Sequence, residues 1–130
     1  MSAKIDYAYI AGLLDGEGTV SITSQLDLRV CIRNTNRAVL DWIKSVIGEG
    51  NIYGDKRREK VCYSLELSSN KAAHFLKSVY PYLRIKKLQA KVALEFQEKA
   101  NRVPSSTYYL IGSEKERRQI IYRQMKELNQ

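Results

Sequence analysis

The chain has 130 residues, 44% of them hydrophobic, which suits one domain with one packed core and argues against global disorder. Twenty-two Lys and Arg against 14 Asp and Glu leave a net charge of +8, and a compact basic domain points to a polyanionic partner, most often nucleic acid. No apolar run reaches bilayer-spanning length and Met1-Ser2-Ala3-Lys4 does not open a signal peptide, so we expect an intracellular protein, in the cytoplasm or an organelle matrix, with no membrane partner.

The first element is a helix with Asp6 as its expected N-cap. Tyr7, Ile10, Leu13 and Leu14 recur at helical spacing on one face. Ala8, Ala11, Gly12 and Asp15 form a second face of small residues, which lets another backbone, such as a second helix, approach closely. Gly16 and Gly18 are expected to take φ > 0 and end the helix, leaving Glu17 at its foot just before a strand. That strand, 19–23, alternates with Val20 and Ile22 inward. Ser24-Gln25 is a turn. The next strand, 26–33, has Leu28, Val30 and Ile32 on one face and Asp27, Arg29, Cys31 and Arg33 on the other.

Asn34-Thr35-Asn36 reads as a turn and cap for a helix over 37–47, closed by Gly48-Glu49-Gly50. A second hairpin follows, with strands 51–54 and 61–67 around a charged tip, 55–60. Ser68-Ser69-Asn70 opens a helix ending near Tyr80-Pro81. Residues 82–87 lead into a longer helix through Lys99, with apolar contacts expected from Leu88, Val92, Leu94 and Phe96. Residues 101–106 break it. A last helix is expected with Ser113 as cap and Glu116 at the capping-box position. It is amphipathic and basic, a packed arm, a backbone-contacting element, or both. Cys31 and Cys62 fall outside any CxxC pattern and His74 is alone, which speaks against zinc and against a His-based nuclease centre.

The stretch Ile10-Ala11-Gly12-Leu13-Leu14-Asp15-Gly16-Glu17-Gly18 closely resembles the LAGLIDADG motif of homing endonucleases and related maturases. All nine positions fit, with Ile10 for the first Leu, Leu14 for Ile, Gly16 for Ala and Glu17 for the second Asp. The order of elements matches that family's αββαββα core. The resemblance implies an α+β fold with a curved four-stranded antiparallel sheet and additional C-terminal helices. Residues 1–130 would form a single domain, with the core at about 5–100 and a helical extension at about 101–130.

DNA hydrolysis needs a divalent cation to activate water and neutralise charge developing on the phosphate. Mg²⁺, or Mn²⁺ in its place, takes oxygen ligands. The family places its metal-binding carboxylate at the position of Glu17, and the Gly16 carbonyl is implied as a further ligand. Asp15 is implied in helix packing and capping. The family also carries a basic residue near its active centre, which stabilises the phosphate transition state or positions water; Lys86 best matches it, with Arg84 and Lys87 as rivals. Arg33, Asn34 and Asn36 are the candidates for a polar residue that organises solvent, although the simplest alignment puts apolar Ile32 there. A chain with one motif implies a homodimer through Ala8, Ala11, Gly12 and Asp15, and hence a long, pseudo-palindromic target in double-stranded DNA.

A two-stranded ribbon fits the major groove, so recognition is expected from the sheet's polar face. Ser21, Thr23, Gln25, Asp27, Arg29 and Arg33 suit the first hairpin, and Asn51, Tyr53, Ser64 and Glu66 the second. Lys56, Arg57, Arg58 and Lys60 are assigned to phosphates. The resemblance implies a magnesium-dependent, intron-encoded site-specific endonuclease. Its rivals are an RNA maturase of the same fold, acting on intron RNA, and a catalytically silent DNA-binding regulator.

Overall fold

The computed structural model describes residues 2–56, 59–103 and 112–130. Alternating apolar and polar residues build four strands: β1 Gly18–Ile22, β2 Leu28–Asn34, β3 Asn51–Asp55 and β4 Cys62–Ser68. They form one antiparallel sheet in the order β1-β2-β4-β3. Val20, Ile22, Leu28, Val30, Ile32, Leu65 and Leu67 share one parity and are buried, as a half-covered sheet requires. Helices α1 Ser2–Glu17, α2 Arg37–Ile47, α3 Ser69–Val79 and α4 Lys87–Asn101 pack on that face. They contribute Ile10, Leu14, Leu40, Ile43, Phe75, Leu76 and Phe96 to a continuous core. A 3₁₀ turn, Tyr80–Tyr82, leads from α3 toward α4, and α5 Gly112–Leu128 closes the described chain.

The limits of α2 follow from local chemistry. The Asn36 side chain accepts from the Val39 N–H at 3.2 Å, and Gly48 takes φ 86° and donates its N–H to the Lys44 carbonyl. Elsewhere the structure corrects the sequence reading. α1 begins at Ser2, so Asp6 lies inside the helix and is not its cap. Among the described glycines only Gly48 and Gly50 have positive φ, so Gly16 and Gly18 do not end α1 by left-handed geometry. Gly18 serves close approach instead, since a Cβ there would lie 2.5 Å from Leu14 Cδ1 and 3.0 Å from Leu14 Cα.

Leu26 belongs to the turn rather than to β2. Its N–H donates to the Thr23 carbonyl and the Thr23 N–H to the Asp27 carbonyl, both at 2.8 Å, with Leu26 at φ 65°. This is a three-residue hairpin loop whose last position favours Gly. Leu there costs about 1–2 kcal/mol, offset by burying a side chain worth about 1.5–3 kcal/mol.

α4 packs through Ala90, Ala93, Phe96 and Gln97, while Leu88 is exposed. Small residues let α4 approach the sheet, and Leu88 falls off that stripe. Ser113 lies inside α5, and Glu114 rather than Glu116 is the first-turn acceptor, receiving Arg117 and Arg118 at 2.7 Å. α5 packs on α4 and β1. Asn129 Nδ2 donates to the Val20 carbonyl at 2.8 Å, covering part of the sheet's β1 edge. No helix among the described residues is long and apolar enough to cross a membrane.

Candidate active site and nucleic-acid face

α1 ends in Asp15, Gly16 and Glu17, and its last turn meets groups from two other parts of the chain. The Glu17 carboxylate is exposed, and Asn34 donates its Nδ2–H to Glu17 Oε2 at 2.8 Å. Asn34 Oδ1 accepts from the Asn36 N–H at 2.8 Å. The amide oxygen is thereby committed to a donor, which turns the NH₂ toward the carboxylate. Of the three expected solvent-organising residues, Asn34 touches Glu17, and Asn36 supports it while capping α2. Arg33 goes elsewhere, to Asp55 at 3.7 Å. Strand parity explains the split. Asn34 continues the Leu28, Val30, Ile32 row toward the helical side where α1 ends, whereas Arg33 faces the open side. Ile32 is fully buried.

Asp15 is a clamp within the chain. Its carboxylate accepts from the backbone N–H of Arg84 at 2.8 Å and of Lys86 at 2.9 Å. Burial pulls this carboxyl upward, but backbone N–H groups of Arg84, Lys86 and Ile85 and the Lys86 ammonium outweigh it and hold it below its ordinary value. The clamp brings the Lys86 ammonium to the Asp15 carbonyl at 2.6 Å, where a cation also suits the negative end of the helix dipole. Lys87 instead lies over the Tyr80 ring at 5.1 Å, and Arg84 is exposed. Lys86 is therefore the basic side chain of the three that reaches the end of α1.

The four expected dimer-face residues do not share one environment. Ala8 and Gly12 are exposed, but Ala11 is fully buried in the chain's own core, and Asp15 is held by the 84–86 segment. The exposed stripe of α1 is Ile5, Ala8, Tyr9, Gly12 and Gly16. A Cβ at Gly12 or Gly16 would meet nothing within 4 Å.

The open face of the sheet presents the alternate residues in register. Ser21 stands beside Arg29, Cys31 beside Glu66, Glu66 beside Asn51, and Arg33 beside Ser64, which pairs with Tyr53. Arg29 approaches Glu66 at 3.8 Å, and Ser64 donates to Glu66 at 3.2 Å. Arg29, Cys31, Arg33, Tyr53, Ser64 and Glu66 line a groove of about 510 Å³. Burial, then the Glu66 charge, pushes the Cys31 thiol up, so it sits there protonated and uncharged. Gln25 lies in the exposed turn, and Asp27 precedes β2 with its N–H donating to Thr23 Oγ1 at 3.3 Å. Lys56 and Lys60 are exposed at the second hairpin's tip, whereas Arg57 and Arg58 lie outside the described residues. Asp55 was expected in the tip; it ends β3 on this face, a placement that alternation from Asn51 and Tyr53 already signals. His74 is on the helical side, 3.8 Å from Glu49. Among the described residues no three His, Cys, Asp or Glu side chains gather as a metal-binding group.

The sequence model of the LAGLIDADG-like domain matches residues 4–80. The chain belongs to the LAGLIDADG family. No curated protein matches it by sequence. Among solved structures, the homing endonuclease I-CvuI in complex with its target superposes with a TM-score of 0.78 at 19% identity, over 98% of this chain and 83% of that one. The archaeal intron-encoded homing endonuclease I-Vdi141I, complexed with DNA, gives 0.78 at 18% identity, over 97% and 85%. The LAGLIDADG meganuclease I-AabMI bound to uncleaved DNA gives 0.69 at 17% identity, over 89% of this chain but 43% of that one. At these identities the likeness is one of fold. The LAGLIDADG sheet-and-helix unit found here corresponds to less than half of the I-AabMI chain.

Proposed function

We propose that this LAGLIDADG chain is a homing-type DNA endonuclease that works as a homodimer and makes a metal-dependent double-strand break at a long, pseudo-palindromic site, encoded within an intron. The observation that carries this reading is that the last turn of α1 receives two groups from elsewhere in the chain, Asn34 on the Glu17 carboxylate and Lys86 on the Asp15 carbonyl. The donor set suits Mg²⁺ or Mn²⁺. Glu17 is a hard oxygen donor whose Oε1 has no partner among the described residues, and the adjacent Gly16 carbonyl can join it. A bound divalent ion supplies an activated water and neutralises charge on the scissile phosphate. Asn34 orients the Glu17 carboxylate. Lys86, anchored through Asp15, offers its ammonium to the phosphate in the transition state.

One such carboxylate per chain makes half a two-strand cutting centre, which is why the reading needs a second copy. Two further facts support that copy. The α1 stripe is exposed and includes Ile5 at 73% and Tyr9 at 57%, the latter with one ring edge against Trp42. The longer I-AabMI chain has room for two such units. A bulky side chain at Gly12 should break the association; a Gly12→Leu protein that remains dimeric in sedimentation would place the interface elsewhere.

The deciding experiment selects cleaved molecules from a randomised DNA library with wild type and Glu17→Gln side by side in Mg²⁺. Sequence-specific double-strand cuts that vanish in the variant support the reading. Bound but uncut DNA from the wild type would replace it with a silent DNA binder, and preferential capture of structured RNA with a maturase.

A further inference from the structure

Helix α5 spends one face on the fold. Met125 is 1% exposed, and the Arg118 guanidinium lies 5.5 Å over Phe96 while reaching the Leu26 carbonyl at 3.4 Å. The adjoining side carries Lys115, Gln119 and Arg123, spaced four residues apart in one row along the helix. Lys115 and Arg123 are exposed, and neither has an ion pair or hydrogen bond among the described residues. With Tyr122 they line a groove of about 480 Å³ whose other wall is Ser24 and Leu26 of the β1–β2 turn. None of these six lining residues is acidic. The sheet's central groove differs, because there Asp55 and Glu66 stand opposite Arg33 and Arg29.

Three features say what the α5 groove takes. Two unpaired cations with hydroxyl and amide neighbours and no carboxylate favour an anion. Lys115 and Arg123 lie about 12 Å apart along the axis at 1.5 Å per residue, which fits a run of polyanion backbone better than one small ion. The groove also shares the β1–β2 turn with the open sheet face. β1 leaves Glu17 and runs about 17 Å over its length at 3.4 Å per residue, so the turn lies away from the candidate active site.

We propose that the α5 groove is a second phosphate-binding site, a clamp on the backbone of duplex DNA at the outer end of each half-site. This rests on the endonuclease reading, and it assigns Lys115 and Arg123 to positioning the duplex rather than to reading bases.

Phosphate contacts carry no sequence information, so the test needs no known target. Binding of mixed-sequence duplex DNA is measured over a series of KCl concentrations for wild type, the Lys115→Gln/Arg123→Gln variant, and a charge-matched control, Lys71→Gln/Lys77→Gln on α3. The groove variant should bind more weakly, with the slope of log K against log salt reduced by about two per protomer. The control should keep the wild-type slope, as should Lys115→Arg/Arg123→Lys. Unchanged melting temperatures exclude unfolding, since both side chains are exposed. Equal slopes for the groove variant and wild type, or equal losses in groove variant and control, overturn the clamp and leave the endonuclease reading standing. Displacement of the duplex by structured RNA at lower concentration than by duplex DNA overturns it in favour of an RNA partner. A wild type that binds no duplex at any salt overturns both.

Discussion

The two faces of the sheet are built from the same strands, residue by alternate residue, yet they obey different physics. On the covered face Val30, Ile32 and Leu65 are fully buried in the core beneath the helices. On the open face Arg29, Arg33, Glu66 and Asp55 are held in loose pairs of 3.7–3.8 Å with the arginine side chains more than half exposed. Such pairs contribute little to stability in water. They keep the guanidiniums laid across the sheet, where a base edge can replace the carboxylate. The covered face should therefore determine whether the chain folds, and the open face what it binds, with the end of α1 joining the two.

The largest effect on stability should come from the covered face. Ile32→Ala is expected to cost about 2–5 kcal/mol in denaturant unfolding, and a cost below about 1 kcal/mol would mean that the core relaxes around β2. At the junction, Glu17→Gln should reduce cleavage at least a hundredfold, a loss of about 2.7 kcal/mol or more in transition-state stabilisation, with binding retained in a gel-shift assay. Loss of binding along with cutting would make Glu17 part of the fold instead.

Asp15→Asn should be intermediate, costing about 1.5–3 kcal/mol through charge-assisted hydrogen bonds to the 84–86 segment. Because the folded Asp15 carboxyl is held below its ordinary value, its contribution is complete above the ordinary Asp range. It fades as pH falls through the lowered value. Wild type should lose stability on acidification more steeply than Asp15→Asn; parallel acid limbs would show that the clamp does not titrate. The smallest effect on stability belongs to the open face. Arg29→Ala should change unfolding free energy by less than about 1 kcal/mol while costing about 1–3 kcal/mol of discrimination at one base position. A stability loss as large as that of Ile32→Ala would erase the contrast between the faces.

What was legible in the chain was what neighbouring residues decide among themselves. Asn36 and Gly48 bracket α2 with their own side chain and backbone, and the helix falls on 37–47 as expected. Parity within β1, β2 and β4 separates buried from open positions without any knowledge of the partner strands. Glu17 between helix and strand follows from a short stretch of apolar spacing and glycines, and the motif there indicates the family before any geometry is known. Misreadings came where a distant element intervenes. Leu26 was expected in a strand because its apolar side chain fits one; it adopts a turn because α5 lies across it. Glu114 took the place of Glu116 for a local reason, since Arg117 and Arg118 one turn further along the same helix both reach it.

The helix-to-strand passage at Glu17, the two-faced strands and the basic excess are consequences of spacing and composition along a few residues. Which polar side chain meets Glu17 and which cation reaches α1 depend instead on how the elements pack. Asn34 meets Glu17 because β2 ends where α1 ends, and Lys86 reaches α1 because Asp15 captures a segment 69 residues further along the chain. Ala11 went to the core and Gly12 to the surface for the same reason: a helix alone has faces, but only its neighbours determine which face is covered.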